Sequence, residues 1–183
     1  MSPDFDTFKA RAEAVSAEVH RFPTRSKAID FILEFVQSEN DSVASALWAD
    51  GSFLSGVDKQ QIAAKAHSLG FDVNRDTAAA AKIGISQMDF GIANTGTLVQ
   101  DATAVEKRLV STLPLIHVAI VGTDTIMPDL PTLLTRINPR KAEYISFITG
   151  PSRTADIERV LTIGVHGPER LIIVAVDDLG GAA

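Results

Sequence analysis

The chain has 183 residues, 45% of them apolar and 22% charged, and its 17 basic and 23 acidic side chains give a formal net charge of −6. This size and composition predict one globular domain over residues 1–183, with a core that needs no metal or disulfide. The absence of cysteine excludes thiolate-held iron–sulfur clusters, cysteine zinc sites, thiol nucleophiles and disulfides. The acidic balance and the scattered basic residues argue against nucleic acid as a partner.

The chain start and the hydropathy pattern predict a soluble protein of the cytoplasm. Residues 1–6 contain neither the basic region nor the apolar region of a secretion signal. The longest apolar runs, Val118–Val121 and Leu171–Val176, are far shorter than the ~20 residues that cross a bilayer. We therefore expect a cytoplasmic protein without a membrane span.

The first half of the chain predicts helices that alternate with short strands. Residues 4–22 are expected to form a helical N-terminal segment, since their apolar positions recur at helical spacing. Pro23 ends this pattern, and Thr24 is the expected N-cap of a second helix that ends near Ser38. The further elements expected here are a strand over Ser42–Trp48, a helix over Asp58–Leu69 closed by Gly70, a strand over Phe71–Val73 and a helix over Thr77–Lys82.

The second half predicts a hairpin and a central strand. Phe90–Ala93 and Thr97–Val99 are expected to pair through a turn that contains Gly96. Leu115–Val121 is an almost unbroken apolar run, which is typical of a strand covered on both faces. The other expected elements are a helical turn over Glu106–Ser111, a strand over Tyr144–Ile148, a helix over Thr154–Val160 and a strand over Leu171–Val176. This alternation indicates an α/β layer fold with a largely parallel sheet.

The strongest candidate site is the segment from Thr149 to Asp156, which runs from a predicted strand into a predicted helix. In open α/β sheets, ligands bind where the strands end in this way. Backbone N–H groups of the first helical turn, the hydroxyls of Ser152 and Thr154, and the Arg153 guanidinium suit a carboxylate or a phosphate. The structural alternative is that Thr154 caps the helix while Arg153 pairs with Asp156.

Three further features are candidate ligand contacts. The loop that contains Thr95 and Thr97 offers two hydroxyls, but turns also use such residues for backbone reasons alone. His117 falls in an apolar strand, where a hydrogen-bonded core histidine is the commoner role, whereas His166 lies in a glycine-flanked loop and can reach a cleft. Helical metal-site spacing, the phosphate loop and the nucleophile elbow are all missing from the sequence, so we expect no metal and no resident cofactor.

Four segments carry a family resemblance and occur in this order: Met88–Val99, Arg108–Pro114 with His117, Tyr144–Glu158 and Gly164–Pro168. Together they resemble the lactate-utilisation protein C family, whose members contain a LUD domain, over about residues 25–178. The resemblance implies a three-layer α/β/α fold similar to ribose-5-phosphate isomerases and CoA-transferases. It also implies a role in the oxidation of L-lactate to pyruvate, as the cluster-free member beside two iron–sulfur partners.

One residue departs from the family pattern. The family usually has an acidic residue before Thr-Gly-Thr, and this chain has Asn94. Some CoA-transferases of related fold form an acyl-enzyme through a glutamate, and an amide cannot replace that carboxylate as nucleophile. An independent CoA-transfer activity is therefore not expected.

Three functions stay open at this point. The chain is an auxiliary, cluster-free subunit that binds a small organic or phosphorylated anion beside iron–sulfur protein subunits, or a stand-alone enzyme acting on a sugar phosphate or CoA ester, or a scaffold. In the enzyme hypothesis, Asp156 or His166 is the general base and Arg153 holds the anion. The residues expected to bind the ligand are Thr95, Gly96, Thr97, Ser111, Thr149, Gly150, Ser152, Arg153, Thr154, Asp156 and His166.

Overall fold

The computed structural model describes residues 3–39, 45–138, 143–154, 162–163 and 166–179. Its α-helices are α1 (Pro3–Ala14), α2 (Arg25–Ser38), α3 (Lys59–Lys65), α4 (Arg75–Ala80), α5 (Val105–Thr112) and α6 (Leu130–Leu134). Its strands are β1 (Glu18–Phe22), β2 (Ser45–Trp48), β3 (Leu69–Gly70), β4 (Ala81–Gln87), β5 (Phe90–Ile92), β6 (Thr97–Asp101), β7 (Ile116–Gly122), β8 (Ile126–Met127), β9 (Ile145–Ile148), β10 (Arg153–Thr154), β11 (Thr162–Ile163) and β12 (Arg170–Val176).

The main sheet has six strands in the order β1-β12-β7-β4-β2-β3, and all neighbouring strands in it are parallel. β7 lies between β12 and β4 and is buried along its whole length. This confirms the prediction that the apolar run over Leu115–Val121 occupies the interior of the sheet.

Side chains of the central strands alternate between two apolar cores. Ile116, Val118 and Ile120 of β7 face one side, where they join a buried cluster with α2 and α3. Ala119 and Val121 face the other side and join a cluster with α1 and the second sheet. Because burial of apolar surface is the main stabilising contribution, both faces must be covered. The predicted three-layer α/β/α fold with a largely parallel sheet is confirmed.

A second sheet, in the order β8-β5-β6-β9, lies on the α1 side of the main sheet. β5 and β6 form the predicted antiparallel hairpin, in which Phe90 pairs with Val99 and Ile92 with Thr97. β9 pairs antiparallel with β6. The strand predicted over Tyr144–Ile148 therefore belongs to this sheet and not to the parallel one.

The predicted N-terminal helix is too long. Helix α1 ends at Ala14, and Ser16 has a φ of +72°, which breaks the helical path. Glu18–Phe22 then forms β1, which pairs in parallel with β12, so that Val19 lies beside Ile173. Helical spacing of apolar residues continued across this turn, but pairing with the neighbouring strand decides the local structure.

The region around α3 and α4 also differs from the prediction. Helix α3 ends at Lys65, and Gly70 lies in β3 rather than closing a helix. Phe71–Val73 forms no strand. Helix α4 ends at Ala80, and the strand that follows it, β4, was not predicted, although Ile83 and Ile85 alternate toward one core. In the described ranges, no helix is both long enough and apolar enough to cross a membrane.

Candidate functional site

A pocket of about 240 Å³ lies at the amino ends of β7 and β12, beside the end of α5. Ser111, Thr149, Gly150, Ser152 and His166 all line it. These residues come from three separate segments of the chain, and each of them was predicted to bind the ligand. The structure therefore brings five of the predicted residues together.

Two loops form the wall of the pocket opposite α5. The loop after β9 carries Thr149 and Ser152, and the loop before β12 carries His166. The Ser152 N–H donates to the Pro168 carbonyl over 2.8 Å and joins the two loops. Among the described residues the Ser152 hydroxyl has no hydrogen-bond partner, and Ser152 lines the pocket.

His117 contributes to the lining and is only 1% exposed. Its Nε2 lies 2.9 Å from the Oγ of buried Ser86. Burial lowers the pKa of His117 to about 4, so the imidazole is neutral at pH 7. The structure confirms a hydrogen-bonded core histidine, and it adds that this residue faces the pocket. The two-residue period of β7 could have predicted this orientation, because it places His117 on the same strand face as Ala119 and Val121.

Thr95 and Thr97 lie outside the pocket lining and connect to it through hydrogen bonds. The hydroxyl oxygen of Thr97 lies 2.8 Å from that of Thr95 and 2.7 Å from that of Thr149. This chain of three hydroxyls connects the β5–β6 turn to the loop after β9. Of the three residues, Thr149 is the one that lines the pocket.

Arg153 and Gly150 contact the turn between α1 and β1, and Gly96 contacts helix α1 itself. The Arg153 guanidinium donates to the Val15 carbonyl over 2.7 Å and to the Ser16 hydroxyl over 2.8 Å. Gly150 has a φ of +71°, and a Cβ placed on it would lie 2.5 Å from the Val15 carbonyl oxygen. A Cβ placed on Gly96 would lie 2.3 Å from the backbone nitrogen of Ala12 in α1. These contacts fix the loops that surround the pocket.

The expected role of Arg153 as the anion-holding cation is therefore not supported by the geometry. Its guanidinium is engaged by the α1–β1 turn, and Arg153 is absent from the pocket lining. The stand-alone-enzyme hypothesis relied on this cation.

The predicted strand-to-helix junction is described only at its start, where Arg153–Thr154 forms β10 and pairs antiparallel with β11. The remainder of the helix predicted over Thr154–Val160, Asp156 included, lies outside the described residues. The pocket lies at the amino ends of parallel strands, whereas the rule for open α/β sheets places ligands at their carboxyl ends. The rule did not apply because β9, the strand before the loop, leaves the main sheet and pairs with β6.

The lining of the pocket combines hydroxyl and imidazole groups with apolar side chains. Its lining, as far as the structure describes it, contains no lysine, arginine, aspartate or glutamate. The Ser111 hydroxyl donates to the Arg108 carbonyl over 3.1 Å, which leaves its oxygen as an acceptor. The exposed imidazole of His166 is also part of the lining. In the described ranges, no cluster of three or more histidine, aspartate or glutamate side chains could hold a metal ion.

A parallel sheet with helices on both faces and a covering antiparallel sheet define a three-layer α/β protein. The chain belongs to the LUD domain family, whose model matches residues 5–176. This confirms the family resemblance of the four sequence segments.

Individual relatives agree with this assignment. The chain is 32% identical over 163 residues to lactate utilization protein C of Halalkalibacterium halodurans, covering 83% of this chain and 69% of that protein. It is 42% identical over 108 residues to lactate utilization protein C 1 of Bacillus mycoides, covering 55% of this chain and 46% of that protein. It is 37% identical over 114 residues to lactate utilization protein C of an Exiguobacterium species, covering 59% and 50%. In the last two alignments the chain spans about half of the relative.

A solved structure has a similar fold. The crystal structure of a DUF162 family protein from Deinococcus radiodurans superimposes with a TM-score of 0.66, covering 94% of this chain and 96% of that one. The two sequences are 15% identical, so this likeness concerns the fold alone.

Proposed function

We propose that this chain is a lactate-utilisation protein that acts as an auxiliary, cluster-free subunit in the oxidation of L-lactate to pyruvate. The observation that carries the proposal is the pocket in which Ser111, Ser152, His117 and His166 converge. The names of the relatives indicate lactate utilisation as the process, and the pocket is a possible binding site for a small acid. The iron–sulfur subunits remain partners that the proposal requires.

The volume of the pocket favours a small ligand. At about 240 Å³ it is below the roughly 300–1,000 Å³ of sites for drug-sized molecules. A hydroxy acid or oxo acid the size of lactate or pyruvate fits this space, whereas a CoA ester would leave most of its length outside. We therefore favour a short monocarboxylate over a CoA ester.

The charges around the pocket favour a carboxylate over a phosphate. A phosphate dianion needs clustered cations, and the described lining offers neither lysine nor arginine. A single carboxylate needs less, since the Ser152 hydroxyl and an imidazole N–H of His166 can both donate to it. Two charge-assisted hydrogen bonds of roughly 1.5–3 kcal/mol each reach the ~4 kcal/mol of a millimolar ligand.

The chemistry of the chain explains the need for partners. Oxidation of lactate to pyruvate removes two electrons and two protons from the substrate. With no cysteine, the chain cannot hold a thiolate-ligated iron–sulfur cluster to receive those electrons. In our proposal, the neutral His117 and the nearby hydroxyls hold the acid, and the iron–sulfur subunits carry the electrons.

Binding can be tested by calorimetric titration of the purified chain with L-lactate and with pyruvate. We expect a millimolar Kd that Ser152→Ala or His166→Gln weakens about tenfold, which corresponds to the loss of one hydrogen bond of roughly 1.4 kcal/mol. Ser55→Ala is the control, because Ser55 is exposed and lies outside this pocket. Equal binding by all the variants would overturn the assignment of the pocket.

The role in the cell needs a separate test. Deletion of the gene should abolish growth on L-lactate, and the tagged chain should copurify iron–sulfur proteins. A Ser152→Ala, His166→Gln double variant should retain the copurification and fail to restore growth. Normal growth of the deletion strain on L-lactate would contradict the proposed function.

A further inference from the structure

Two hydroxyls in the lining of the pocket described above already have an acceptor for their protons. They belong to Ser111 and Thr112, at the end of α5. The Ser111 hydroxyl donates to the Arg108 carbonyl over 3.1 Å, and the Thr112 hydroxyl donates to the same carbonyl over 2.6 Å. Because a hydroxyl has one proton, both side chains keep only their oxygen lone pairs for a ligand.

The position of these hydroxyls at the end of a helix explains their orientation. Serine and threonine side chains in helices commonly donate to a carbonyl one turn earlier, and Ser111 and Thr112 follow Arg108 by three and four residues. The last carbonyls of a helix lack intrahelical partners and form the negative end of its dipole. We therefore expect the end of α5 to attract an O–H donor and to repel a carboxylate.

The loops opposite α5 have the complementary chemistry. The Ser152 hydroxyl and an imidazole N–H of His166 can donate to a carboxylate. A Cβ placed on Gly167, which lies in the same lining, would be 3.3 Å from Ser152 Oγ and 3.8 Å from the Thr112 carbonyl oxygen. The loop wall and the end of α5 are therefore close enough for one three-carbon acid to contact both.

We propose that this pocket selects 2-hydroxy acids over 2-oxo acids, and that Ser111 determines the selection. The inference rests on the proposed function, in which the carboxylate binds at Ser152 and His166. The oxygen on the adjacent carbon is then directed toward α5. A hydroxyl at that carbon donates to the Ser111 oxygen, whereas a carbonyl brings lone pairs against lone pairs and loses its hydrogen bonds to water.

Rotation of the Ser111 hydroxyl does not remove this preference. To donate to an oxo acid, the hydroxyl has to release the Arg108 carbonyl, so one hydrogen bond is exchanged for another. A 2-hydroxy acid adds a hydrogen bond and breaks none. One net hydrogen bond corresponds to roughly two- to tenfold in Kd, so we expect a preference of about fivefold.

The test is calorimetric titration of the full chain with three acids of equal length, L-lactate, propionate and pyruvate. We expect L-lactate to bind about fivefold more tightly than propionate, which lacks the second oxygen, and pyruvate to bind most weakly. Tighter binding of pyruvate than of propionate would mean that the pocket donates to this oxygen, and would overturn the inference. Equal binding of L-lactate and pyruvate would overturn the inference and leave the proposed pocket intact, whereas binding of none of the three would overturn the proposed function as well.

One variant locates the selection, with a matched control. Ser111→Ala should weaken L-lactate binding about fivefold, to the level of propionate, and should leave propionate binding unchanged. Ser38→Ala is the control, because the Ser38 hydroxyl of α2 also donates to a carbonyl three residues earlier, that of Phe35, over 2.9 Å, and lies outside this pocket. If Ser111→Ala fails to fold, the order of the three acids on the wild type still decides the question. An unchanged preference for L-lactate in a folded Ser111→Ala variant would contradict the proposal.

Discussion

Nε2 of His117 and Oγ of Ser86 lie 2.9 Å apart, and both side chains are buried between the main sheet and the layer that covers it. Ser86 lies on β4 and His117 on the neighbouring parallel strand β7, so the hydrogen bond between them fixes the orientation of the imidazole ring. A ring that is held in this way presents the same edge to the pocket in every molecule. His117 is the least exposed polar side chain of the described pocket lining.

The buried His117 should make stability depend on pH. Its pKa is about 4 when folded and 6.5 in the reference state, so between these values the unfolded chain binds a proton that the native chain does not. Stability is therefore full above pH 6.5 and falls as the pH drops toward 4. We expect a loss of about 2 kcal/mol between pH 7 and pH 5 from this residue.

Urea unfolding at the two pH values measures this loss. His117→Gln lowers stability at both pH values, but it should remove most of the difference between them. If the variant and the wild type lose the same free energy from pH 7 to pH 5, His117 is not the titrating group.

Sequence patterns predicted those parts of the fold that depend on local or single-strand signals. The central strand β7 was predicted because a strand covered on both faces is apolar throughout. The β5–β6 hairpin was predicted because its turn residues have a backbone requirement. By contrast, β1 was predicted as helix, because its identity as a strand comes from pairing with β12, which is about 150 residues away in the sequence.

The site was predicted in part for the same reason. Ser152, Thr149 and His166 were selected for their residue types and loop positions, and the pocket contains all three. Arg153 was proposed as a ligand contact because of its charge. Its partners Val15 and Ser16 lie on a turn within the segment that the sequence pattern predicted as helix. The chemical type of a side chain can be read from the sequence, whereas the group to which it hydrogen-bonds depends on tertiary packing.

Glu39 connects three elements through ion pairs and should contribute to stability. Its carboxylate pairs with Arg170 over 2.5 Å and with Lys82 over 3.1 Å, and Arg170 also pairs with Glu18. The hydrogen bond from Arg170, more than any other contact, lowers the pKa of Glu39 from 4.5. This contribution is therefore full above pH 4.5 and is lost as the pH falls through the lowered pKa.

Glu39→Gln should reduce the free energy of unfolding by about 1 kcal/mol at pH 7, and less below pH 4. Glu34→Gln is the control, since Glu34 is exposed on the same helix. Chemical denaturation at several pH values measures both. An effect of Glu39→Gln that is equal at pH 7 and pH 3 would contradict the ion-pair explanation.

Arg153 should act on stability rather than on ligand binding. Arg153→Ala removes two hydrogen bonds to the α1–β1 turn, and we expect it to cost about 1–2 kcal/mol. Arg153→Lys should recover part of this loss, because an ammonium can replace one of the bonds. Thermal melting and titration with L-lactate measure the two effects separately. A large loss of lactate binding with an unchanged Tm would restore Arg153 to the site.

Substitution of Gly150 by alanine should cost more stability than substitution of Gly56, which has the same backbone conformation but no close neighbours. Gly150 and Gly56 have φ values of +71° and +70°, but a Cβ on Gly56 would meet nothing within 4 Å. Gly56→Ala should cost about 1 kcal/mol from backbone strain alone. Gly150→Ala should cost roughly 2 kcal/mol more, because its Cβ overlaps the Val15 carbonyl. Equal urea midpoints for the two variants would show that the loop does not pack against this turn.

The most direct measurement is a crystal structure of the chain grown with saturating L-lactate or pyruvate. We predict the carboxylate of the ligand within hydrogen-bond distance of Ser152 and His166, with the remainder of the molecule toward His117. A ligand bound elsewhere on the protein, or an unliganded pocket at saturating concentration, would contradict the central claim.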